Sequence, residues 1–148
     1  MTDTEAAADP VVISSPWRRL AAAGYDLLLL VAVLMFSGAL AVAFVGSAIE
    51  AGNPAFQAYL LLSIFLYFAI FWKRAGYTPG MRPWRMRIER LDGSPLGWRE
   101  VMVRFAMGWV SLAAFGLGFL WAFFDSERRM WHDRASGTRV VKDWRLYK

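Results

Sequence analysis

From Leu20 to Val45 the chain is an almost unbroken apolar run, and a single charged residue, Asp26, sits inside it. Such a run exceeds the roughly 20 residues that a helix needs to cross a bilayer core of about 30 Å. In lipid every backbone amide must find its partner within the segment, so a helix is the only local structure open to a lone span. The run is also too long for the apolar centre of a secretory signal. Residues Met1 to Pro16 before it are acidic, small and proline-interrupted, without the basic start that a signal has. Residues 1–16 therefore read as a disordered tail, and the apolar run as a segment that stays in the membrane.

The distribution of charge sets the expected topology. None of the seventeen Lys and Arg residues lies between Leu20 and Trp72; beyond residue 19 they fall in two blocks, 73–104 and 125–148. Cytoplasmic loops carry the excess of Lys and Arg. The turn-rich stretch Gly46–Pro54, with one acid and no base, therefore belongs outside. A second span, about residues 55–72, ends in Trp72-Lys73-Arg74 on the cytoplasmic side. A third apolar segment, about residues 105–124, contains Gly108, Gly116 and Gly118. A single crossing would place the seven basic residues after it outside. A re-entrant pair of half-helices broken at Gly116-Leu117-Gly118 would return the tail to the cytoplasm. Two strand-like stretches, Arg85–Leu91 and Thr138–Asp143, are too short to stand alone. Pairing them requires both on one side. The expected fold is an all-α membrane protein of two transmembrane helices plus a third segment that spans or re-enters. A small cytoplasmic interfacial layer would hold the two-stranded β pairing.

Several function classes fall away. The chain has no cysteine and one histidine, so thiol chemistry and a histidine metal site are excluded, and no cofactor is expected. No nucleophile, base and orienting group recommend themselves as a set, so enzyme activity is not expected. Basic blocks beside apolar spans read as topology signals and contacts to anionic headgroups rather than a nucleic-acid surface. The tryptophans outside the motifs, Trp84, Trp98, Trp109, Trp121, Trp131 and Trp144, read as interface anchors.

Three patterns rise above composition. In the first, Arg19 and Asp26 fall on one helix face about two turns, or ~10 Å, apart. A carboxylate within an apolar helix needs a partner or a water-filled cavity. Asp26 is either a structural lock, neutralised by Arg19 or another arginine, or a group that takes up a proton or cation. Ala22, Ala23 and Ser37 share its face and would let another helix approach closely. The second pattern, Gly76-Tyr77-Thr78-Pro79-Gly80-Met81-Arg82, reads as a turn entering a short interfacial helix, with Trp84, Ile88 and Leu91 toward lipid if the chain stays helical. In the third, His132-Asp133-Arg134-Ala135-Ser136-Gly137-Thr138, the carboxylate would favour an imidazolium and form a titratable gate, or the cluster is a salt-linked structural turn. Arg104, just before the third segment, is placed to snorkel or to reach a buried acid.

In this order the three motifs resemble the RDD family of bacterial membrane proteins over roughly residues 16–142. The family's arginine and first aspartate match Arg19 and Asp26, and its second aspartate matches Asp133 in a His-Asp-Arg/Lys-Leu-Ala-Gly-Thr pattern. Ala135-Ser136 stand here for Leu-Ala, while Gly137 and Thr138 are kept. In the middle motif Gly76, Thr78, Gly80 and Arg82 match, and Met81 replaces the usual lysine. The resemblance implies a multi-span membrane domain over 17–142, with 143–148 as a tail, in a bacterial inner membrane with a cytoplasmic N-terminus. It also implies a part in transport of an ion or small solute, with Arg19, Asp26 and Asp133 as the working polar groups. The alternative is a non-transporting subunit or scaffold in which those residues form a polar lock. Three segments enclose little space, so a homo-oligomer or a membrane partner is expected.

Overall fold

The computed structural model describes residues 11–50 and 52–142 of the chain. Helix α1 spans Pro16–Val45 and α2 spans Pro54–Arg74, and both are long and apolar enough to cross a membrane. Each opens on a proline, whose missing N–H costs nothing at a first helical position. Gly46, at φ 75°, ends α1. The Asn53 side chain caps α2 by accepting from the amides of Ala55 (2.9 Å) and Phe56 (3.2 Å). Leu27, Leu28, Met35, Phe36 and Phe44 stand exposed along α1, which is the expected face toward lipid rather than water.

The third apolar segment is broken. Helix α3 (Trp98–Ala113) is followed by the short α4 (Leu117–Leu120) and a 3-10 turn (Trp121–Phe123), with a 109° bend between the two pieces. Phe115 (φ 55°) and Gly116 (φ 80°), both left-handed, make the corner, at the Gly116-Leu117-Gly118 break the sequence marks. Gly118 closes it, because an added Cβ would stand 2.7 Å from Ser111 Cβ and 2.9 Å from a Trp131 ring carbon. At the tip Phe115 is 96% exposed. The chain then folds back so that α5 (Trp131–Ser136) packs along α3.

Strands β1 (Met86–Arg90) and β2 (Thr138–Lys142) pair antiparallel, with Met86 opposite Lys142, Ile88 opposite Val140 and Arg90 opposite Thr138. The segment containing α3, α4 and α5 therefore leaves and returns on one side. The pairing of the two strand-like stretches is as the sequence suggests, and it settles the fate of the chain after the Gly-x-Thr-x-Gly loop. Only Arg82–Trp84 is helical there, as a 3-10 turn, and Ile88, expected on a lipid-facing helix, is buried in the core with Met86, Leu96, Val101 and Val140. The physical reason is pairing: strand hydrogen bonds to β2 satisfy the backbone that a one-turn interfacial helix would leave open.

Residues assigned by sequence to a tail also pair. Ser14 donates its amide to Val140 O (3.0 Å), and Val12 O accepts from Lys142 (2.8 Å), so residues 12–14 run along the free edge of β2. The tail assignments for residues 1–10 and 143–148 lie outside the described residues.

Candidate functional site

The side chains marked by the three motifs converge in two adjoining clusters. The first surrounds Asp26, which is 5% exposed. Its Oδ1 accepts from the Tyr67 hydroxyl (2.8 Å) and the Gly80 amide (2.9 Å), and its Oδ2 accepts from the Thr78 hydroxyl. The loop can deliver these donors because Gly76, at φ 73°, turns off the end of α2 and its carbonyl accepts from the Ile88 amide (2.6 Å), tying it to β1. Thr78 O then accepts from the amides of Met81 (3.0 Å) and Arg82 (3.2 Å), closing the turn that aims Gly80 at α1. Ala22, 1% exposed, packs beneath it, as expected of a small residue where another segment approaches. Met81, at the lysine position of the family pattern, is buried in the apolar core, and Arg82 is exposed.

The second cluster surrounds Asp133, which is fully buried. Arg19 donates to its Oδ2, and Arg104 to its Oδ1 at 2.6 Å. The Met130 amide donates to Oδ2 at 3.0 Å, so the carboxylate also caps α5. Arg19 further donates to Arg128 O at 2.6 Å, and Arg104 to the Thr138 hydroxyl, which in turn meets Ser136 Oγ at 2.8 Å. The Arg104 guanidinium lies 5.2 Å from the centre of the Trp72 ring. One carboxylate thus joins α1, α3 and α5. Arg134 stands apart, exposed and paired with Asp125 at 2.8 Å, while Gly137 (φ 65°) ends α5.

Two expectations are corrected. Arg19 is not the counter-charge of Asp26: its guanidinium is committed to Asp133, and the donors that hold Asp26 are a phenol, a hydroxyl and an amide. Nor does the neighbouring carboxylate make His132 an imidazolium. Burial pushes the ring down to about 3, and the cations Arg104 and Arg19 add to this, outweighing the pull of Asp133. Asp133 moves the other way: burial alone would raise its carboxyl, but Arg19 and Arg104, joined in acid by His132 once that ring is protonated, hold it below the usual carboxylate range. With Asp133 ionised and His132 neutral, two guanidiniums share one negative charge, leaving an excess of one positive charge in the cluster.

Both clusters border one cavity of about 390 Å³. Helices α1 and α3 each pack on α2 and barely meet one another, which leaves a gap between them. Arg19, Asp26, Thr78, Arg104 and His132 line it, together with apolar side chains such as Leu34 and Leu112. Tyr67 is the functional-site residue that motif reasoning passes over. Its signal is a phenol deep in a largely apolar span, shared with Tyr59 nearer the start of α2, since a buried hydroxyl needs an acceptor. Among the described residues no group of three or more His, Cys, Asp or Glu is arranged to hold a metal.

No curated protein and no solved structure matches the chain significantly. The sequence model of the RDD family matches residues 13–137, from the strand-like arm before α1 to the glycine that ends α5. That stretch contains Arg19, Asp26, the Gly-x-Thr-x-Gly loop and Asp133, and the chain belongs to the RDD family.

Proposed function

We propose that this membrane protein takes part in transport of a small solute, with the cavity between α1, α2 and α3 as its solute site. The reading rests on one observation above the rest: five polar side chains from four separate segments, Arg19, Asp26, Thr78, Arg104 and His132, border the same cavity at membrane-facing helices. Clefts of roughly 300–1,000 Å³ with a few convergent polar groups are the usual form of a small-molecule site. In this reading Arg104 and Asp26 face the solute, while Asp133 positions Arg104. No enzymatic step is invoked.

The protein would sit in a bacterial inner membrane with its N-terminus and the basic layer in the cytoplasm, as the block of Lys and Arg after α2 supports. Two spans and a re-entrant segment border this cavity, which does not run the length of the spans, so a continuous path would need a second copy or a membrane partner.

The test is reconstitution into vesicles. Two signals are read: an internal pH dye after a sodium or potassium pulse, and the protection from dithionite of a fluorescent lysophosphatidylglycerol added outside. Wild-type protein should move at least one of these probes faster than empty vesicles. Gly108→Leu should abolish the movement, because Gly108 lines the cavity and an added Cβ there meets nothing within 4 Å. No movement of any probe, or movement unaffected by Gly108→Leu in folded protein, overturns the reading. If Asp26→Asn and Gly108→Leu alter only stability, the polar groups are locks.

A further inference from the structure

The shape and charge of the cavity restrict what it can take, and this deepens the transport reading on which it rests. On α1 the lining runs from Arg19 to Leu34, about 22 Å along the axis. On α2 it runs antiparallel from Trp72 to Ile64, and on α3 from Arg104 to Leu112. The three walls agree in direction: Arg19, Trp72 and Arg104 mark one end, and the lining turns apolar toward Leu34 on α1 and, over a shorter stretch of ~12 Å, toward Ile64 on α2 and Leu112 on α3. The space is long, polar at one end and apolar at the other.

Within the Asp133 cluster, at the polar end, the charges do not balance. Arg19 and Arg104 share the one carboxylate of Asp133. Burying an uncompensated charge is expensive unless it is paired, so a net positive cluster at a cavity wall favours an anion there. A second observation agrees. Arg104 is 3% exposed, and its Nε–H has no acceptor among the described residues; His132 Nδ1, also on the cavity wall, has no partner either. Buried donors are almost always satisfied, so the unmet N–H of Arg104, a side chain that lines the cavity, leaves donor capacity for an anion there; Arg129 Nε, off the cavity, is unpartnered too. Tyr67, Thr78 and Gly80 are neutral donors that occupy the Asp26 oxygens without cancelling a carboxylate charge, so the place for an anion is beside Arg104 and not beside Asp26.

We propose that the cavity binds one hydrocarbon chain bearing an anionic head, with the chain between α1, α2 and α3 and the head against Arg104. A free fatty-acid or lysolipid anion and one chain of an anionic bilayer lipid share this chemistry.

Trp72 and Trp109 line the cavity and supply the signal. The full chain is placed in nanodiscs of phosphatidylcholine and titrated, at an alkaline pH that keeps the carboxyl ionised, with dibromostearate, whose bromines quench tryptophan. The expected result is saturable quenching, reversed by stearate and at least tenfold weaker with dibromostearyl alcohol. Gly108→Leu should weaken it at least tenfold while retaining the helical circular dichroism of the wild type. Arg104→Met, where it folds, should bind acid and alcohol alike. Nanodiscs containing brominated phosphatidylglycerol distinguish the source: quenching there without added stearate assigns a bilayer lipid, and its absence assigns the free amphiphile. Equal affinity for acid and alcohol in the wild type, or quenching that neither saturates nor responds to Gly108→Leu, overturns the proposal. Binding without movement in vesicles removes the transport reading and leaves this one standing. Movement without saturable binding does the reverse.

Discussion

Gly80 has no side chain where Asp26 would collide with one: an added Cβ would stand 2.7 Å from the Asp26 carboxyl carbon. The close approach lets the Gly80 amide reach the carboxylate at 2.9 Å. Gly80→Ala must therefore push the loop off α1. An overpacked position of this kind costs about 1–3 kcal/mol, and the lost charge-assisted hydrogen bond adds to it. Thermal unfolding in detergent should show a clear fall in Tm. An unchanged Tm would mean that the loop does not bear on Asp26 in solution.

Tyr67→Phe isolates one donor of the same cluster. The ring stays and the 2.8 Å bond to Asp26 is lost. A hydrogen bond to a charged acceptor is worth about 1.5–3 kcal/mol. Thr78→Val should cost a similar amount, and the double variant should fall short of the sum, because the two donors share one acceptor. Denaturation by sodium dodecyl sulfate reads all three.

The two partners of the buried ion cluster should differ in cost. Asp133→Asn leaves Arg19 and Arg104 facing each other without their shared counter-charge, a loss of about 3–5 kcal/mol or failure to fold. Arg104→Met leaves a neutral pair of Arg19 and Asp133 and should cost less. Equal destabilisation in matched unfolding curves would contradict the two-to-one charge count.

Stability should fall with acid. His132 titrates near 3 in the folded chain, whereas an unfolded histidine titrates near about 6.5. Between those values the unfolded chain binds the extra proton, so stability rises with pH across that window and levels off above it. Asp133, held below the usual carboxylate range, loses its contribution in the same direction but starting lower, below the pH at which an unfolded aspartate titrates. His132→Phe, which keeps a ring beside Phe119, should flatten the upper part of a Tm profile taken from pH 7 to pH 4. A profile that is unchanged by the substitution would refute the neutral, buried imidazole.

Because the chain has no cysteine, single cysteines report sidedness directly. Asp92→Cys and Arg134→Cys, both exposed beside the sheet, should react with an impermeant thiol reagent from the same side of sealed vesicles. Ala48→Cys, in the α1–α2 connection, should react from the opposite side. Phe115→Cys, at the tip of the bent segment, should resist the reagent from both. Labelling of Asp92→Cys and Arg134→Cys from opposite faces would defeat the fold.

The spans, the corner at Gly116 and the pairing of residues 86–90 with 138–142 were legible because each rests on a local signal: length and hydropathy, glycine, or alternation. The partner of Arg19 was not. Spacing on one helix pointed it at Asp26, but its acceptor lies 114 residues away, and only tertiary packing decides such a choice. Ile88 was ambiguous for the same reason, since a short apolar stretch is compatible with a lipid-facing helix or a core strand until its neighbour is known. The arm at residues 12–14 carried no signal of its own, because its order comes from the edge of β2.

That arm has a consequence for biosynthesis. The Asp26 cluster is complete once residue 80 has been made, early in translation and just after α2. Arg19 must wait for Asp133, and Val12 for Lys142. The first helix therefore enters the bilayer with a guanidinium whose acceptor does not yet exist, and the N-terminal arm is stitched down last. A ribosome-bound chain stalled before residue 133 should have α1 and α2 inserted and their polar loop latched, while the beginning of the protein still awaits its end.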